Sequence, residues 1–76
     1  MIDLASLRRT VGLTQVELAE ALGTSQGQIS RMERQHDMLV STLADYLQAL
    51  GVRASLVVEM GEQTVTHDLT AGQEDK

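Results

Sequence analysis

The stretch Thr14–Arg34, TQVELAEALGTSQGQISRMER, decides the fold of this chain. It contains two Ser/Thr-x-x-Glu/Gln pairs, Thr14 with Glu17 and Ser25 with Gln28, which lie on either side of Gly23. Such a pair forms a capping box, in which the hydroxyl accepts from a backbone N–H of the first turn and the later side chain bonds back to the cap. The stretch therefore predicts two short helices that meet at a tight turn.

Small and apolar residues stand where two such helices must cross. Gly23 can take the positive φ of the turn, and Ala19 is small enough to allow a close approach. The other apolar residues at the crossing are Leu18, Leu22, Ile29 and Met32. This pattern predicts a helix-turn-helix, whose second helix can enter the major groove of DNA.

Two more helices are predicted in the first 51 residues. The first runs from about Asp3, a suitable N-cap, to Val11, and Gly12 follows it. After a loop at 35–37, a fourth helix is expected to begin at a Ser41 or Thr42 cap and to end at Gly51. The predicted fold is mainly α: a four-helix domain over residues 1–51.

The period of apolar residues changes to two after Gly51, as in β-strands. We expect a β-hairpin within 52–69, with strands at 53–60 and 63–69 and a type II′ turn at Gly61-Glu62. A lone hairpin is marginal in water, so this one must pack on the helices, pair with another chain, or both. We predict a twofold dimer whose hairpins meet in one sheet or stack. The residues expected at that dimer or partner interface are Leu56, Val57, Val58, Met60, Val65, His67 and Leu69. Residues 70–76, TAGQEDK, are expected to be a disordered tail.

Charge is distributed unevenly along the chain, whose net charge is −5. Residues 1–53 contain five arginines and six acidic side chains, whereas residues 54–76 contain one lysine and five acidic side chains. Nearly all the positive charge thus belongs to the helical part. The acidic C-terminal segment is either a solvated edge that resists aggregation or a surface for a basic partner, formed by Glu59, Glu62 and Asp68.

Several classes of function are disfavoured by what the sequence lacks. It has no cysteine, and neither histidine has partners at a metal-ligand spacing, so we expect no metal and no cofactor. It shows no nucleophile–base pair or phosphate-binding loop, which argues against an enzyme. No apolar run is long enough to span a membrane, and the N-terminus does not resemble a signal peptide, so a cytoplasmic protein is expected.

The exposed face of the second motif helix has the chemistry to bind DNA. Glutamine can pair with adenine and arginine with guanine in the major groove, while helix N-termini attract phosphates. The alternative is an ordinary solvated helix face, which the helix-turn-helix context makes less favourable. The candidate DNA-binding residues are Gln15, Thr24, Ser25, Gln26, Gly27, Gln28, Ser30, Arg31 and Arg34.

These residues resemble a known family. Arg8 and the segment LTQVELAEALGTSQGQISRMER are similar to the DNA-binding domain of the Cro/cI-type (Xre) repressors. The resemblance spans Leu4 to Gly51. It implies that Arg8 forms a structural ion pair with Glu33, and that Gln15 contacts a phosphate and supports a base-reading Gln26. The chain departs from the family at Gly27, where many relatives carry a base-reading side chain, and at Gln35, which replaces a common glycine.

A narrower resemblance covers ISRMERQHDMLVSTLADYLQALG and the strand–turn–strand after it, which look like HigA-like antitoxins of type II toxin–antitoxin operons. It implies an autoregulating homodimer that represses its operon from operator DNA and neutralises a basic, ribonuclease-type toxin. Such a protein would be cytoplasmic and nucleoid-associated when bound to DNA. The alternatives are a stand-alone or phage-type regulator without a toxin, and a protein-interaction module that binds no DNA.

Overall fold

A computed structural model describes residues 3–35 and 37–70 of the chain. Four helices come first: α1 (Leu4–Val11), α2 (Gln15–Leu22), α3 (Gln26–Arg34) and α4 (Val40–Leu50). Two strands follow, β1 (Ser55–Met60) and β2 (Gln63–Asp68), paired as an antiparallel hairpin. The predicted class, a mainly α four-helix domain with a C-terminal β-hairpin, is confirmed. The predicted tail lies outside the described residues from residue 71 onward.

The first three helices begin where their caps predict. Asp3 Oδ1 accepts from the Ser6 N–H (3.1 Å) at the start of α1. The capping box of α2 is complete, since Thr14 Oγ1 accepts from Glu17 N–H (3.1 Å) and Glu17 Oε1 accepts from Thr14 N–H (2.9 Å). These local bonds satisfy backbone donors that a helix leaves unpaired at its start.

The turn between α2 and α3 is built on Gly23 and Ser25. Gly23 has φ +73°, a left-handed conformation that costs a glycine little. Ser25 Oγ accepts from Gln28 N–H (3.2 Å), so only the Ser25 half of the predicted second capping box is formed. Together they end α2 and start α3 within three residues, so a tight turn joins the two helices.

Helix α4 begins earlier than predicted. Its N-cap is Leu39, which makes no side-chain capping bond, and its first residue is Val40, so the predicted cap at Ser41 or Thr42 is wrong. Most helix stability in proteins comes from packing of the apolar face, not from the terminus. In α4 that packing comes from Tyr46 and from Leu47 and Leu50, all of which are buried.

The core lies between the helices. Four of the five residues predicted at the α2–α3 crossing are buried, and Leu22 is half-buried. The buried apolar residues are Leu4, Leu18, Ala19, Ile29, Met32, Tyr46, Leu47 and Leu50. In the described part of the chain, no helix has both the length and the apolar character to cross a membrane.

The hairpin extends away from this core, and every residue from 55 to 68 is exposed. Gly61 has φ +62°, as the first central residue of the predicted type II′ turn requires. Glu62, the second central residue, does not have a positive φ, and this also fits that turn. At the base, Leu69 N–H donates to the Ala54 carbonyl (2.9 Å) and Ala54 N–H donates to Thr70 Oγ1 (3.1 Å). Thr70 is only 1% exposed, so its assignment to the tail is wrong: its hydroxyl closes the hairpin.

The register gives the hairpin one apolar face and one polar face. Leu56 lies opposite His67, Val58 opposite Val65 and Met60 opposite Gln63, and paired residues share a face. Val57 and Glu59 lie on the other face, opposite Thr66 and Thr64. The predicted interface residues therefore divide: Val57 faces away from the others, and Leu69 is half-buried against the helical core.

Candidate nucleic-acid interface

Helix α3 presents a polar face to solvent, as the sequence predicts. Ile29 and Met32 point into the core, which leaves Gly27, Arg31 and Arg34 on the opposite side. Ser30 is half-buried, and its Oγ accepts from Arg34 Nη1 (2.5 Å), so the Arg34 side chain lies along the helix. The remaining exposed candidates are Thr24, Ser25, Gln26 and Gln28.

Behind this face, Arg8 of α1 and Glu33 of α3 form the predicted ion pair. Arg8 Nε donates to Glu33 Oε2 (2.7 Å) and Arg8 Nη2 donates to Glu33 Oε1 (3.2 Å). A third bond runs from Arg8 Nη1 to the Leu13 carbonyl (2.9 Å). The two side chains are 9% and 6% exposed, so the pair is shielded from solvent and ties α1 to α3.

Tyr46 of α4 joins the same carboxylate. Its hydroxyl donates to Glu33 Oε2 (2.6 Å) and lies 3.2 Å from the Leu4 carbonyl oxygen. Burial alone would raise the pKa of Glu33, but hydrogen bonds from Arg8, Tyr46 and Gln15 outweigh it and hold that pKa below its ordinary value. Burial and the bond to Glu33 raise the pKa of Tyr46, which therefore stays a donor.

The carboxylate is connected to the exposed face through two glutamines. Gln15 Nε2 donates to Glu33 Oε1 (2.9 Å), and Gln26 Nε2 donates to Gln15 Oε1 (3.2 Å). Gln15 is half-buried at the start of α2, whereas Gln26 is exposed at the start of α3. The chain of bonds thus runs from a buried charge to a side chain in solvent. We call Arg8, Glu33, Tyr46, Gln15 and Gln26 the recognition network.

Sequence reasoning missed one member of the recognition network. The spacing of Tyr46 with Leu43, Leu47 and Leu50 predicts a core residue, and the ring is indeed 0% exposed. A buried tyrosine usually needs a hydrogen-bond partner for its hydroxyl, and that was the available signal. The sequence could not identify the partner, because Glu33 lies thirteen residues away in another helix.

The charges near this face favour an anion. Glu33 is neutralised by Arg8, so the exposed charges of α3 are those of Arg31 and Arg34. The acidic residues Glu59, Glu62 and Asp68 are exposed on the hairpin. Within residues 3–35 and 37–70, no group of histidine and acidic side chains could hold a metal ion.

Comparison with known proteins agrees with this geometry. A family model described as Helix-turn-helix matches residues 4–57. HigA3 of Mycobacterium tuberculosis (strain ATCC 25618 / H37Rv), described as a candidate antitoxin, is 39% identical over 72 residues. That alignment covers 90% of this chain but only 63% of the length of that relative.

Two solved structures share the fold. A DNA-bound antitoxin HigA3 has a TM-score of 0.77 and 36% identity, with 87% of this chain and 88% of that chain covered. A HigA antitoxin described as bending DNA through a unique dimerization has a TM-score of 0.73 and 35% identity, with 87% and 92% covered. The resemblance to HigA antitoxins is confirmed, and the chain belongs to the helix-turn-helix family.

Proposed function

We propose that this protein is a sequence-specific, double-stranded DNA-binding repressor that regulates its own operon as an antitoxin. The observation that carries the proposal is the Gln26 amide, which is exposed at the start of α3 and bonded to Gln15, whose own amide is bonded to Glu33. A side chain fixed in this way reads a base edge at little entropic cost. In this proposal the protein acts in the cytoplasm by binding and not by catalysis.

The arrangement suits recognition through the major groove. Gln26 can pair with adenine and Arg31 with guanine, and the N-termini of α2 and α3 can approach phosphates. Gly27 has no side chain, and a Cβ placed there would meet only Ser25 Oγ, at 3.9 Å. Direct readout is therefore assigned to Gln26 and Arg31, while Gly27 lets the backbone approach the duplex.

The proposed functional unit is a homodimer. The apolar hairpin face of Leu56, Val58, Met60 and Val65 is unpaired in one chain, with exposures between 43% and 51%. A second copy of the hairpin would cover this face and give the twofold symmetry that a palindromic operator requires. The solved relative described by its unique dimerization supports a dimer, without specifying the surface that forms it.

The proposed protein partner is a basic toxin of the ribonuclease type. Support comes from the relatives described as antitoxins and from the exposed acidic residues of the hairpin. Complementary charge would speed the encounter of the two proteins. Co-purification with the product of the adjacent gene tests this part, and the absence of any complex would favour a stand-alone regulator.

DNA binding is tested by fluorescence anisotropy with the protein's own promoter and with a scrambled duplex of the same composition. The wild type should prefer the promoter, and Gln26→Ala should remove part of that preference. Arg9→Ala is the control and should keep the wild-type preference, because Arg9 is exposed on α1 and is not a candidate DNA-binding residue. Equal affinity for both duplexes would refute the repressor and favour a protein-interaction module.

A further inference from the structure

The hydroxyl of Tyr46 does more than the core requires. Tyr46 is the one aromatic residue of the chain, and its side chain is fully buried in α4. A phenylalanine ring would fill nearly the same volume without burying a polar atom. The hydroxyl has one proton, and it points that proton at Glu33 Oε2, 2.6 Å away.

The two oxygens of Glu33 have different partners. Oε2 accepts from Arg8 Nε and from the Tyr46 hydroxyl, whereas Oε1 accepts from Arg8 Nη2 and from Gln15 Nε2. Donors from α1 and α4 thus hold one oxygen, and the carboxylate cannot turn without losing both of these bonds. As a consequence, Oε1 stays aimed at the Gln15 amide.

The charge on Glu33 sets the orientation of each amide beyond it. A carboxylate only accepts hydrogen bonds, so Gln15 must present its Nε2 to Glu33 and its Oε1 to Gln26. Gln26 in turn uses one Nε2 hydrogen for Gln15. Its second Nε2 hydrogen and its Oε1 remain for the duplex, as a donor beside an acceptor.

We propose that Tyr46 is a positioning residue for DNA recognition: its hydroxyl holds the Glu33 carboxylate and, through Gln15, fixes how the Gln26 amide meets a base. The inference rests on the proposed DNA-binding function. It adds to that function a specificity-determining side chain in α4, which is fully buried and does not touch the duplex.

The test is the variant Tyr46→Phe, measured against operator duplexes in which single base pairs are replaced. The base read by Gln26 is identified as the one whose replacement weakens binding of the wild type but does not weaken binding of Gln26→Ala. In Tyr46→Phe, discrimination at that base should fall about threefold to tenfold, part of what one bidentate pair supplies. Discrimination at the base read by Arg31, and affinity for a scrambled duplex, should stay at wild-type values.

A double-mutant cycle tests whether the Tyr46 hydroxyl acts on Gln26 through Gln15. In Gln15→Ala the connection to Gln26 is already broken, so adding Tyr46→Phe should cause no further loss of discrimination. Leu50→Val is the matched structural control, because Leu50 is a buried α4 residue that lies outside the recognition network. Its destabilisation should leave discrimination at every base unchanged.

Tyrosine fluorescence gives a second measurement that needs no DNA. Since Tyr46 is the only tyrosine and the chain has no tryptophan, its emission is observed directly. A carboxylate that accepts the phenol proton quenches this emission, so Glu33→Gln should brighten it. Unchanged emission would show that the Tyr46–Glu33 bond is absent in solution and would overturn the proposal.

The outcomes distinguish failure of the proposed DNA-binding function from failure of the positioning role of Tyr46. A wild type with no preference among duplexes refutes the proposed function itself. If the wild type discriminates, the positioning role is overturned by a Tyr46→Phe protein that keeps full discrimination or loses it equally at all bases. A variant that fails to fold also overturns it, because the hydroxyl would then serve the fold.

Discussion

At the scale of single residues, the candidate DNA-binding face has one side chain held by hydrogen bonds, Gln26, and one that extends into solvent, Arg31. Gln26 is fixed through Gln15, whereas Arg31 is exposed and makes no hydrogen bond within the recognition network. A rigid side chain favours selectivity, because little freedom is lost on binding. An exposed arginine contributes charge and can adapt its long side chain to the duplex.

Replacing Arg31 by alanine should weaken operator binding by about 1–3 kcal/mol and relax the base preference at one position. The reason is the loss of a bidentate arginine–guanine pair. Anisotropy titrations with single-base operator variants measure both effects, with Arg9→Ala as the charge-matched control. Unchanged affinity in Arg31→Ala would mean that this side chain reads no base.

The Glu33 carboxylate should make stability depend on acid pH. Its pKa is lower in the folded chain than its ordinary value of 4.5, so its ionised form stabilises the fold. This contribution is fully present above the ordinary pKa and is lost as the pH falls through the folded pKa. The difference in free energy of unfolding between wild type and Glu33→Gln should therefore shrink from pH 7 to pH 3. Urea denaturation measures it, and a difference independent of pH would contradict the assignment.

At the scale of secondary-structure elements, α4 and the hairpin owe their stability to different causes. Helix α4 starts without a side-chain cap and relies on its buried face. The hairpin has no buried strand residue in one chain and relies on its turn, on the Thr70 closure and, in our proposal, on a second copy.

The uncapped start of α4 can be improved. Leu39 is 72% exposed and has the extended backbone of an N-cap, so Leu39→Asp should stabilise the fold by about 0.5–2 kcal/mol through a new capping bond. Thermal unfolding measures this gain. Ser41→Ala is the control and should change stability little, since Ser41 lies inside the helix. A large loss in Ser41→Ala would show that the helix starts later in solution.

The two hairpin faces can be distinguished by one substitution on each. Val58→Asp places a charge on the apolar face and should convert the proposed dimer to a monomer, because a buried unpaired charge is costly. Val57→Asp introduces the same charge on the polar face and should leave the dimer intact. Sedimentation at micromolar concentration measures both. Equal behaviour of the two variants would exclude the apolar face as the dimer interface.

At the scale of the whole molecule, the distribution of charge bears on the proposed binding to DNA. Exposed arginines lie on α3, and exposed acidic side chains lie on the hairpin. A net charge of −5 opposes non-specific attachment to the phosphate backbone. Operator selection should therefore depend on base contacts and on dimer formation more than on bulk charge.

Few exposed arginines predict a weak salt dependence. Each neutralised phosphate contributes about 0.9 to the slope of log affinity against log salt, so a dimer with two exposed α3 arginines per chain should show a slope of at most about 4. Titrations between low and physiological salt give this value. A slope near 10 would require a basic surface that these residues do not form.

The sequence by itself determined the elements whose signals act within a few residues. Asp3, Thr14 and Ser25 specify three helix starts because their caps bond only three residues onward. Gly61 likewise specifies the hairpin turn. The polar face of α3 follows from helical periodicity alone. Resemblance to a known family added the Arg8–Glu33 pair and the support of Gln26 by Gln15.

Only the tertiary structure decided the contacts that join distant segments. Tyr46 meets Glu33 because α3 and α4 both pack against α2, and Thr70 closes the hairpin because the chain returns to Ala54. The strand register places Val57 and Val58 on opposite faces of the hairpin, although the sequence predicted both at the dimer or partner interface. Helix α4 starts at Val40 and not after the predicted cap at Ser41 or Thr42, because burial of its apolar face stabilises the helix more than a cap does. Local hydrogen bonds can be read from short sequence patterns, whereas these contacts depend on how whole elements share one core.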